Sequence, residues 1–324
     1  MTPRAAAAAA VTGLLAAAAA VTGLLVAAAV GWALAPGAAP ALRAALPAGR
    51  FVLDACGVAA VGLGMLGWLV AGGRRRDADA AQGAASRAAV VLAGGWTATA
   101  VLMLWLRAAD VAGRPPAELG MGAVVDYVRT FRPAAGLLVT AACAVGYGVI
   151  AATTRGRAWP ELPTIVALLG LLPGPLTGHA AAEAAHELAV LSITAHAIAV
   201  AVWVGGLGAL LVVIAGRRAL LATALPRFST IAAAALATVA ISGVITAAVR
   251  VGSVAALVDT GYGRVVLAKT AALVVLAMLG GLVRRRVLPA VRDHRRAPLV
   301  AIAGTELAVM GIALGLAAAL ASGG

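Results

Sequence analysis

Nine apolar runs of about twenty residues each constrain this chain more than any other feature. They fall at Ala5–Ala35, Phe51–Ala71, Ala88–Ala109, Ala134–Thr154, Glu161–Thr177, Leu188–Ala215, Phe228–Val249, Arg264–Val283 and Leu299–Ala321. At 1.5 Å per residue, a helix of that length crosses the hydrocarbon layer of a bilayer. Lipid offers no partner to a backbone N–H or C=O, so a spanning chain is either helical or a closed barrel, and barrel strands alternate over only about ten residues. The runs here do not alternate. Apolar residues make up 63% of the chain and charged ones 11%, with a mean hydropathy of +1.03, more apolar surface than one water-soluble core hides. The expected fold is all-α, a polytopic transmembrane helical bundle of about nine helices forming a single membrane domain over residues 1–324.

The basic residues orient it. Arg4, Arg74, Arg75, Arg76, Arg87, Arg155, Arg157, Arg217, Arg218, Arg227, Arg284, Arg285, Arg286, Arg292, Arg295 and Arg296 all fall in alternate loops, 16 of the 25 Lys+Arg. The positive-inside rule places those loops, and the N-terminus, in the cytoplasm and the C-terminus outside. A net charge of +13 is thereby explained without nucleic acid, for which no aromatic stacking platform is present. No Walker A sequence is present, so neither a nucleotide partner nor ATP-driven pumping is expected. Cys56 and Cys143 lie within runs and are expected to be small core residues without a disulfide. The first segment, with its echo of Val11-Thr-Gly-Leu-Leu at Val21, exceeds the 7–15 residues of a signal h-region and is expected to be a retained helix. Between Asp110 and Pro133, the longest outer loop, Leu119–Arg132 suggests a short interfacial helix.

Ionisable side chains inside a membrane are costly and are the first functional candidates. His196 sits near the midplane of the sixth run. Lys269 and Asp54 belong to the outer half, Asp54 one turn from Arg50 and so placed for an ion pair. Glu306 lies toward the cytoplasmic side, with only apolar residues one turn away, so it needs a partner from another helix or a proton. A direct Lys269–Glu306 pair is not expected. In the loop before the sixth run, His179, Glu183 and His186 fall on one face of a helix, and imidazole with carboxylate suits copper or zinc. Leu172-Pro-Gly-Pro-Leu176 should break the fifth run, as in helices that line a cavity. In the sixth, Trp203 follows His196 by two turns and shares its face, while Gly205 and Gly206 permit close approach of a helix or a flat ligand.

The segments Thr177-Gly-His-Ala-Ala-Ala182, His196-Ala-Ile-Ala-Val-Ala-Val-Trp-Val-Gly-Gly-Leu207, Ser242-Gly-Val-Ile-Thr246 and Thr260-Gly-Tyr-Gly-Arg-Val-Val-Leu-Ala-Lys269, followed by Glu306, resemble the CopD copper-resistance family in order and spacing. The likeness makes residues 161–324 the CopD-like core and 1–160 variable N-terminal spans that match in general character. It implies a non-enzymatic protein of the cytoplasmic membrane that takes up or transfers copper from the extracytoplasmic side, often beside a small CopC-like copper-binding partner. His179, Glu183, His186 and His196 would be the copper ligands, with Trp203, Tyr262, Lys269, Glu306 and Asp54 in support. The His196–Leu207 and Tyr262–Lys269 segments are also similar to those of HemJ-type protoporphyrinogen oxidases. That likeness implies a haem-binding redox alternative with His196 as axial ligand, the Gly205–Gly206 slot for the macrocycle and Lys269 for a propionate. A scaffold for copper oxidase assembly is a third possibility. Met65, Met103, Met121, Met278 and Met310 are scattered singly and form no thioether relay.

Overall fold

A computed structural model describes residues 3–34, 40–154, 161–177, 186–251, 256–282, 285 and 299–322. Among them every regular element is helical. The α-helices are α1 (Pro3–Leu34), α2 (Pro40–Leu69), α3 (Arg75–Ala112), α4 (Met121–Thr130), α5 (Arg132–Thr154), α6 (Leu162–Leu171), α7 (Pro173–Thr177), α8 (His186–Ala209), α9 (Arg218–Val251), α10 (Ala256–Asp259), α11 (Gly261–Leu282) and α12 (Leu299–Ser322). Seven are long and apolar enough to cross a membrane: α1, α2, α3, α5, α8 with its continuation to Ile214, α9 and α12. The fifth and eighth runs correspond to shorter apolar helices, Leu162–Leu171 and Val266–Leu282. The chain is a multi-pass helical membrane protein.

Three helices begin well before their apolar runs. α2 starts at Pro40 rather than Phe51 and continues through Pro47. Proline at the first position loses only a donor that helix starts leave unpaired, and Pro47 rests on α1, where a Cβ at Gly31 would overlap its ring. The Arg43 guanidinium lies 5.5 Å above the Trp32 ring, a cation–π contact that ties the same turn to α1. α3 starts at Arg75 rather than Ala88, because Ala81, Ala85, Ala89 and Ala93 recur every fourth residue and are all buried; alanine both favours helix and lets backbones approach. α9 likewise precedes Phe228, running through Pro226. The fifth run breaks where its prolines stand: α6 ends at Leu171, Leu172 turns, and α7 restarts at Pro173.

Packing rests on small residues. α1 lies on α12, where a Cβ added to Gly23 would come 2.5 Å from the Gly311 carbonyl oxygen and one at Gly311 equally close to that of Ala19. Since lipid tails are as apolar as leucine, such close contact rather than hydrophobic exclusion holds membrane helices together. α2 is the central helix, touching α1, α3, α6, α8 and α12. Buried polar groups bond across helices: Tyr147 Oη donates to the Ala60 carbonyl at 2.9 Å and Thr140 Oγ1 to that of Gly170 at 2.8 Å. Cys56 and Cys143 are free and half-buried, as expected of small packing residues. The segment before α5 carries α4, which packs Val124 and Tyr127 onto Leu104 and Ala108 of α3.

Candidate functional site

α8 carries the chemistry. His196 stands ten residues after its first residue, about 15 Å along the helix axis. The facing helix is α9, and its Ser242 Oγ lies 2.9 Å from His196 Nδ1. The serine has one proton, and its hydroxyl donates to the Thr238 carbonyl at 2.6 Å, with that of Val239 at 3.2 Å. With the serine proton on the Thr238 carbonyl, the oxygen meets the ring as an acceptor, and the tautomer that matches it carries its proton on Nδ1 and keeps its lone pair on Nε2. That is the form of imidazole that binds a metal, with the second shell fixing tautomer and ring orientation. Around it, Ser192 Oγ donates to the Ser242 carbonyl at 3.2 Å and Thr246 Oγ1 to the same oxygen at 2.9 Å. Hydroxyls thus cluster at one level of the α8–α9 seam, in helices otherwise almost wholly apolar.

Lys269 of α11 is near enough to His196 for its charge to act on the ring. Two turns further along α8, Trp203 is 4% exposed and faces the carboxyl of Glu306 on α12, itself 5% exposed. The approach falls short of a hydrogen bond, and the Trp203 indole N–H has no partner among the described residues. Glu306 therefore finds the interhelical neighbour that its own helix does not supply. Sequence spacing put His196 and Trp203 on one face but held no signal that α12 would bring Glu306 to it.

The glycine pair serves packing. A Cβ at Gly205 would overlap the Val58 carbonyl of α2, one at Gly62 of α2 would overlap Gly205, and one at Gly206 would come 2.6 Å from the Phe228 ring of α9. The space that the haem alternative assigned to a macrocycle is occupied by the α2 backbone and a phenyl ring, so these residues do not fit haem.

Asp54 Oδ2 accepts from Arg50 Nε at 2.9 Å, the expected ion pair one turn apart. It stands fourteen residues after the first residue of α2, which begins at Pro40. The Arg50 guanidinium reaches the broken fifth run, where a Cβ at Gly174 would come 2.5 Å from Nη2. Asp54 thus holds Arg50 against the start of α7 at Pro173-Gly174-Pro175. Tyr262 lies in the first turn of α11. Of the expected outer ligands, His179 and Glu183 lie outside the described residues and His186 begins α8. Among the described residues no three of His, Cys, Asp and Glu gather closely enough to hold a metal ion.

Comparison with known proteins supplies two matches. A family model described as copper resistance protein D matches residues 222–320, and one described as the copper resistance protein D-like N-terminal domain matches residues 41–187. The likeness therefore extends well into the N-terminal half, beyond the segments in which sequence reading found it. No curated protein and no solved structure matches the chain.

Proposed function

Because this chain belongs to the copper resistance protein D family, whose members handle copper in membranes, we propose that it carries copper inward across the cytoplasmic membrane from the extracytoplasmic side. The observation that supports the reading is the His196–Ser242 contact of 2.9 Å, which orients an imidazole through Nδ1 and so suits Nε2 to a metal ion inside the helix bundle. Copper is the substrate here. In the proposed path His179, Glu183 and His186 capture it at the outer end of α8, and His196 receives it within the bundle. Imidazole is a ligand common to both copper oxidation states, and a single imidazole binds weakly enough to release its cargo, as a transit site requires. Lys269, whose charge reaches His196, sets the field that the cation meets, and Tyr262 lies two turns from Lys269 toward the start of α11. The N-terminus is proposed to lie in the cytoplasm, with all nine apolar helices crossing the bilayer and a CopC-like protein delivering copper outside.

Cellular copper content tests this, measured in a deletion strain carrying wild type, His179→Ala or His196→Ala at matched expression. Higher copper with wild type than with the empty strain, abolished by either substitution, is the expected result. Equal copper in the deletion and wild-type strains would remove import.

A further inference from the structure

The function proposed above leaves the carboxyl of α12 without a task. Glu306 is 5% exposed, with Ala303 and Met310, one turn away on either side, also in the core. The polar group facing it is the Trp203 indole of α8, whose N–H is enclosed and without a hydrogen-bond partner among the described residues. Two buried polar groups thus confront each other across a helix interface without bonding.

Among the described residues, no cation of the surrounding helices acts on Glu306. α1 has no charged residue between Val11 and Ala33, and on α2 Arg50 and Asp54 are paired with each other, Arg43 lies over Trp32, and Cys56 is half-buried. α8 carries His196 two turns from Trp203. α11 carries Arg264, exposed, and Lys269, which acts on His196. An ionised carboxylate buried among these groups would be costly, and it would draw the indole N–H into a charge-assisted bond. A carboxyl that retains its proton offers the N–H only a neutral carbonyl, a weaker acceptor than a carboxylate. The pair therefore has two states: a neutral carboxyl that the indole N–H holds weakly or not at all, and a carboxylate that it holds by a charge-assisted bond.

We propose that Glu306 is a proton-exchange site within the bundle and that Trp203 is the donor stabilising its ionised form. In the exchange the carboxyl O–H bond breaks, the proton passes to water, the carboxylate accepts the Trp203 N–H, and no electron moves. Resting on the copper reading, the same site gives charge compensation: a monovalent copper ion reaching His196, about 10 Å along α8, favours the ionised carboxylate, so one positive charge leaves as another enters.

Infrared spectroscopy of the full chain in lipid vesicles tests the site without copper. A pH-dependent protonated-carboxyl C=O band is expected, absent in Glu306→Gln, and disappearing at a different pH in Trp203→Phe than in wild type. Absence of any such band sensitive to Glu306→Gln overturns the proposal, as does a band whose titration Trp203→Phe leaves unchanged. Copper(I) uptake into the same vesicles separates the two readings. Uptake by wild type whose pH dependence flattens in Glu306→Gln supports the coupling, and uptake with unaltered pH dependence overturns it. A titrating band in vesicles that take up no copper keeps the proton site and sinks the copper reading.

Discussion

At the scale of single residues, Ser242 is the position whose role is least visible from its own chemistry. It is not a ligand. Its contact with Nδ1 orients the ring so that Nε2 is the nitrogen presented, and Ser242→Ala should free the ring to rotate and exchange tautomers. Losing such an outer-shell partner typically costs 10–100-fold in metal affinity; about tenfold weaker copper binding to the purified protein is expected, read by competition with a chromophoric chelator, with His196→Ala losing more. Equal affinity for wild type and Ser242→Ala would show that the contact does not hold the ring for metal. Tyr127 of α4, outside the candidate spans, offers a pH test. Burial pushes its phenol above the ordinary value of 10.0, with the Arg107 cation opposing. The folded state therefore keeps the proton longer than the unfolded one, so this contribution to stability is full below about pH 10 and is lost as pH rises beyond it. Thermal unfolding should fall more steeply with pH above that value in wild type than in Tyr127→Phe; parallel curves would place the alkaline loss elsewhere. The sequence singled out His196, Trp203 and Glu306 as polar residues in apolar runs, because a membrane makes such residues conspicuous, whereas serines that back-bond to their own helix are ordinary there and Ser242 entered only through the Ser242–Thr246 segment of the resemblance.

At the scale of elements, the α2–α8 crossing is the contact most exposed to one added methyl group. Gly62 and Gly205 lie backbone to backbone, while Gly208, one turn on, has open space. Gly205→Val must push the helices apart, at a cost of roughly 2 kcal/mol or more by analogy with overpacked cores. Gly208→Val meets nothing and should change stability little. The apparent melting temperature of the detergent-solubilised protein checks both, and similar melting of the two variants would mean the helices do not meet through Gly205. Element limits were the weakest part of the sequence reading. α2 and α3 begin before their apolar runs because residues 40–50 dock on α1 and the Ala81–Ala93 stripe is buried, and neither contact leaves a mark in a hydropathy profile. The break at Pro173, by contrast, was legible because proline acts locally, through a missing donor and a steric clash.

For the whole molecule, the arrangement of charge makes a topological prediction. Arg76 at the start of α3 and Arg114 just beyond its end are both exposed and stand on opposite sides of the membrane in the proposed orientation. In a protein with Cys56 and Cys143 changed to alanine, Arg114→Cys should react with a membrane-impermeant maleimide in intact cells, and Arg76→Cys only after permeabilisation. The reverse pattern would invert the bundle and put the captured cation on the wrong side. The sequence by itself determined that the chain is helical, lies in a bilayer, belongs with the copper resistance D proteins, and sets a few ionisable residues, Asp54, His196, Lys269 and Glu306, within its apolar runs. These follow from run length, composition and local motif, which are properties of residues near one another in the chain. Only the tertiary structure decided that Ser242 holds His196, that α2 and Phe228 fill the space at Gly205 and Gly206, and that Trp203 faces Glu306. Each of those depends on which helix lies beside which, and in a membrane that choice is made by backbone fit between small residues, on which hydropathy is silent.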